Sequence, residues 1–157
     1  MSQSLAQPVL FHNASKTNSV GLKVGIVVAR HDMQCVGTLF SRAYEVLIQY
    51  GIAADNIQVV SIPRAYDITK TAQNMLARDA YHAVICLSCF TQDTWNRTIP
   101  FSPRGTDSNK SVQWVAFYRG IPMTFGMIDL ESQQPEAIVE CGAQCARTAI
   151  AMANKMR

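Results

Sequence analysis

From Leu22 to Ala29 the chain reads LKVGIVVA, short, β-branched and almost continuously apolar. A strand open to water on one face alternates apolar with polar residues, so this unbroken run predicts a parallel strand covered on both faces. After Arg30-His31-Asp32 the period changes. Val36, Leu39, Phe40, Ala43, Val46, Leu47 and Tyr50 follow the i, i+3, i+4, i+7 spacing of one helix face, and Gly51 is placed to close that helix. Ile57 to Ile62 predicts a second strand ended by Pro63. Asp67 to Ala80 carries a second helical pattern through Ile68, Ala72, Met75 and Leu76, and Ala83 to Phe90 predicts a third strand. Between Thr91 and Asn109, Pro100, Pro103 and Gly105 stand among polar residues and predict a long loop. With Asp107 as a helix cap, Ser111 to Tyr118 predicts a short helix; Ile121 to Ile128 follows as a fourth strand and Pro135 to Met156 as a final helix.

Strands that alternate with helices form a parallel sheet with right-handed crossovers and helices on both faces. The expected architecture is a three-layer α/β/α sandwich around a four-stranded parallel sheet. Ligands of such sheets bind beyond the carboxyl ends of the strands, which selects four corners: His31-Asp32, Arg64 to Asp67, Phe90 to Arg97, and Phe125 to Ile128. Residues 1–21 are polar and aperiodic apart from Val9, Leu10 and Phe11, so they read as a flexible arm that needs a partner surface. A single domain is expected over residues 22–157.

Composition narrows the function classes. With 48% hydrophobic and 16% charged residues in 157, the chain has enough apolar surface to pack a core. The formal charge of +3 is scattered, with no basic run to track a phosphate backbone, so nucleic acid is not implied. No stretch approaches the roughly 18 apolar residues that cross a bilayer, so no membrane role is expected. Five cysteines are an odd number, most of them in apolar segments, which fits reduced thiols and a cytoplasmic location. The Cys86-Leu-Ser-Cys89 pair ends a strand rather than opening a helix, the setting that lowers a thiol pKa, so neither redox chemistry nor a metal site is read from it. No cofactor is implied.

The strand VGIVVAR, the phrases NIQVVSIPRAYDI, YHAVICL and IPMTFGM, and the ending GAQCARTAIAMANK resemble the lumazine synthase family in order and spacing over nearly the whole chain. That family, flavodoxin-like in fold, joins a ribitylamino-pyrimidinedione to a butanone phosphate in riboflavin biosynthesis. The resemblance puts His31 where an aromatic ring stacks on the pyrimidine and Asp32 at an Asn position. Ala65, Tyr66 and Asp67 match the Ala, aromatic and Glu that hold the ribityl chain, a task for backbone groups and a hydroxyl-accepting carboxylate. Phe125 matches a Phe lining the other side of the ring, and Phe90 and Thr91 complete the substrate-binding set. Tyr66 and Phe125 also fit as core residues, and Asp67 as a helix cap.

The second half of the site departs from the family. Its third strand ends in a small-residue turn, a basic residue and a catalytic His, where this chain reads CFTQDTWNRT. The His position falls on Arg97 or Thr98. A guanidinium stays protonated and cannot act as a general base, which leaves Arg97 as a phosphate ligand. Asp93 and Trp95 stand at a glycine-rich phosphate turn, and a basic loop between Glu140 and Cys141-Gly142 is missing. Arg64 replaces a Gly and either crowds the pocket or restores positive charge. Two functions follow from the resemblance: a lumazine synthase working on these two small molecules, or a relative of low or no activity that binds a flavin or pteridine or serves as an assembly subunit. In either case it implies a homopentamer or larger assembly.

Overall fold

A computed structural model describes residues 19–30, 33–90, 111–129 and 135–156. Five strands form one sheet: β1 (Val24–Ala29), β2 (Ile57–Ile62), β3 (Ala83–Phe90), β4 (Ser111–Tyr118) and β5 (Ile121–Asp129). Among the described residues three α-helices accompany it: α1 (Met33–Gln49), α2 (Ile68–Arg78) and α3 (Pro135–Met156). The strand order is β2-β1-β3-β5-β4, parallel except for β4, which runs antiparallel to β5 at the edge.

The side-chain period of two divides β1 between two cores. Val24, Ile26 and Val28 join α1 and α3 on one face through Leu39, Leu47 and Ile150, whereas Val27 and Ala29 join α2 on the other through Ile68, Ala72 and Met75. The expected three layers are present. The helix read from Val36 to Tyr50 buries Val36, Leu39, Ala43, Val46 and Leu47, and it closes through Gly51 N–H to Ile48 and Ile52 N–H to Leu47, the paired bonds of a Schellman end.

The sheet corrects the four-stranded, all-parallel expectation, and residues 111–118 correct the expected short helix. Arg119 and Gly120 both have positive φ, 55° and 79°, and Tyr118 pairs with Ile121 across them. Two residues at positive φ make a type I′ turn, whose twist matches a β-hairpin. Trp114, Ala116 and Tyr118 then pack on the α2 side while Gln113 and Phe117 stay exposed. The turn and the β-branched and aromatic residues outweigh a cap at Asp107, which lies outside the described residues.

Helix α3 runs unbroken through Glu140, Cys141 and Gly142, in keeping with the missing basic loop. It crosses α1 so closely that a Cβ on Gly142 would lie 2.6 Å from the Leu39 carbonyl oxygen. Among the described residues no helix is long and apolar enough to cross a membrane.

Candidate active site at the carboxyl edge of the sheet

Because β1, β2, β3 and β5 are parallel, Ala29, Ile62, Phe90 and Asp129 end on the same edge. Arg30 extends the β1 side by donating its N–H to the Ile62 carbonyl, and its guanidinium donates to Ser61 Oγ at 3.0 Å. Beyond Ile62, Pro63 stops the strand and Ala65–Asp67 form a single 3₁₀ turn leading into α2.

That turn separates its three residues by environment. Ala65 is buried with Phe90 in the α2-side core, so a larger side chain there would displace the strand-end packing. Tyr66 is 48% exposed, although a tyrosine of the core would be covered. Asp67 occupies the cap position of α2, yet its side chain makes no capping hydrogen bond. The Asp67 carbonyl instead accepts from Thr71 Oγ1, and the carboxylate faces the Arg64 guanidinium at 3.7 Å. Arg64 also lies over the Tyr66 ring, 4.5 Å from its centroid. Planar cation, aromatic ring and carboxylate thus meet on one exposed turn, able to accept hydroxyls, stack a flat ring or attract an anion.

Phe125 sits deeper. It pairs with Cys86, four rows before Phe90 pairs with Asp129, which puts it about 13 Å along the strand from the edge. Its ring is 2% exposed and stacks on Trp114, with centroids 4.8 Å apart and planes 4° apart. The edge therefore gathers Ala65, Tyr66, Asp67 and Phe90, with Phe125 a layer below. His31, Asp32, Thr91 and Arg97 lie outside the described residues.

Residues 21–157 match the family model described as 6,7-dimethyl-8-ribityllumazine synthase. The chain belongs to the lumazine synthase family. In that setting the riboflavin-pathway reading of the sequence and its α/β fold stand together, and Arg64 becomes a departure of a lumazine synthase relative. No group of His, Cys, Asp and Glu able to hold a metal occurs among the described residues.

Two features of this lumazine synthase relative escaped the sequence. Trp114 covers Phe125 only because the hairpin turn makes residues 111–118 a strand; the Arg119-Gly120 pair between two apolar runs was the available signal. Cys35 and Cys89 form a disulfide across a separation of 54 residues, against the expectation of reduced thiols. Cys86 is not the partner of Cys89, since their alternation on β3 places them on opposite faces. Burial pushes the Cys86 thiol far above its ordinary value. The hydrogen bond with Cys141, then burial, does the same for Cys145, so neither is a thiolate near neutral pH.

Proposed function

We propose that this chain carries out the lumazine synthase condensation in the cytoplasm, taking 5-amino-6-(D-ribitylamino)uracil and 3,4-dihydroxy-2-butanone 4-phosphate. The amine forms an imine with the ketone, phosphate is eliminated, and ring closure gives the lumazine. The observation that carries this reading is the Asp67 carboxylate, which leaves its helix uncapped and faces outward beside Tyr66. A carboxylate withheld from its nearest structural use is available to ribityl hydroxyls. Ala65, Tyr66 and Asp67 hold the ribityl chain, His31 stacks on the pyrimidine with Phe125 backing it, Asp32, Phe90 and Thr91 complete the set, and Arg97 takes the phosphate.

Positioning two reactants alone supplies several kcal/mol, so an enzyme without the family's proton-carrying His still turns over, slowed by about two to four orders of magnitude. The chain acts as a homopentamer or larger assembly, checked by sedimentation or light scattering. The deciding experiment mixes purified protein with both substrates and follows lumazine absorbance against the uncatalysed rate, beside Asp67→Ala. A rate above background that the variant loses supports the synthase; background rate alone rejects it.

One observation favours the second reading, a ring-binding relative without turnover: Arg64 engages both Tyr66 and Asp67, and Trp114 covers Phe125. That reading predicts riboflavin binding that inorganic phosphate does not oppose, whereas the synthase predicts competition.

A further inference from the structure

The disulfide joins two places that the sequence keeps far apart and the candidate site needs together. Cys35 is the third residue of α1, the helix that follows β1 in the chain, and Cys89 is the penultimate residue of β3, next to Phe90. Both sulfurs lie in the core shared with α1 and α3, with Cys35 2% and Cys89 0% exposed. The bond therefore ties the start of a helix to the end of the neighbouring strand at the edge where ligands of parallel sheets bind.

We propose that Cys35 and Cys89 are a reversible thiol–disulfide modification site that exchanges with low-molecular-weight disulfides and sets how firmly the carboxyl edge is held. The first turn of α1 contains no acidic residue, so the helix dipole favours a thiolate at Cys35 over one at a strand end. In the closing direction the Cys35 thiolate attacks one sulfur of glutathione disulfide, forming a mixed disulfide and expelling a glutathione thiolate that takes up a proton. The Cys89 thiolate then attacks the Cys35 sulfur and expels the second glutathione. Two protein thiols are oxidised and one small disulfide is reduced to two thiols. Burial of both sulfurs makes the exchange wait on local opening of the first turn of α1, where Met33 is 62% exposed. This inference uses the proposed function only in taking that edge as the ligand edge.

The test equilibrates the full chain with glutathione mixtures of increasing oxidised fraction, alkylates the remaining thiols after denaturation and maps them by mass. Cys35 and Cys89 should lose alkylation together in one two-electron step, unchanged in Cys86→Ala and abolished in Cys35→Ser. Amide exchange within residues 33–40 and 86–90 should quicken by about tenfold or more on reduction while residues 122–127 keep their rates. Alkylation of both cysteines at every ratio, pairing of Cys89 with Cys86, or exchange rates indifferent to redox state would overturn the proposal. Riboflavin affinity, followed by fluorescence quenching, should be higher in the oxidised chain, and equal affinities in the two states would remove the link to the site. Absence of riboflavin binding and of lumazine formation in both states would reject the functional reading alone, because thiol mapping and amide exchange decide the redox site without a ligand.

Discussion

The two faces of the sheet are built to different ends. The face shared with α1 and α3 is filled by aliphatic residues with no exposure, Leu39, Leu47, Ile85, Leu87 and Ile150 among them, under two long helices in backbone contact at Gly142. The face under α2 has one shorter helix and carries Tyr81, Phe90, Phe125 and Trp114, and its upper end opens through Tyr66 and Asp67. Close aliphatic packing holds a fold in one shape, while an aromatic layer beside an exposed polar turn can receive a flat, hydroxylated ligand. One face supplies rigidity to the edge at which the other opens.

The largest effect that would test this division is expected at Gly142. Gly142→Val drives a branched side chain into the Leu39 carbonyl, and urea denaturation should show a loss of about 3 kcal/mol or more, up to failure to fold. A variant as stable as the parent would mean that α1 and α3 do not bear on each other there. Asp67→Ala should behave in the opposite way: unfolding midpoints within about 0.5 kcal/mol of the parent, because no capping bond is lost, but lumazine formation lowered by roughly 10- to 100-fold. Unchanged turnover would take Asp67 out of the site.

Smaller effects sharpen the same contrast. Gly120→Ala forces an alanine to φ near 79°, and thermal unfolding should report about 1 kcal/mol of destabilisation centred on the β4–β5 hairpin that carries Trp114. The smallest is at Asp79, an exposed carboxylate whose pKa is lowered by the hydrogen bond from Lys23 and then by the Ala80 N–H. A depressed folded-state pKa stabilises above the unfolded value and is lost as pH falls through the folded one. Asp79→Asn should therefore differ slightly from the parent at neutral pH and converge with it below about pH 4. Divergence that grows towards acid would reverse the sign and reject the Lys23 pairing.

How much of the site was legible depended on range. The turn Ala65-Tyr66-Asp67 follows a strand stopped by Pro63 and precedes a periodic helix, all local signals, and the structure puts it where that order predicts. That Asp67 withholds its side chain from its helix and meets Arg64 instead depends on rotamers that no pattern records. The depth of Phe125 depended on register: a segment ending in Ile128 tells that a strand is present, but only the pairing of Phe125 with Cys86 tells how far its ring lies from the edge.

From the sequence by itself followed the alternation of elements, the buried faces of β1, α1 and α2, the resemblance that the family match upheld, and the absence of the loop inside α3. The alternation and the buried faces rest on hydrophobic period, breakers and order, which act over a few residues, whereas the missing loop is visible only through the resemblance. Only the tertiary structure decided that residues 111–118 are an antiparallel edge strand, that Trp114 lies on Phe125, and that Cys35 finds Cys89 rather than Cys86 joining its near neighbour. Each of these is a contact between segments brought together by the sheet, and a strand's alternation decides which face a residue joins before sequence proximity can matter.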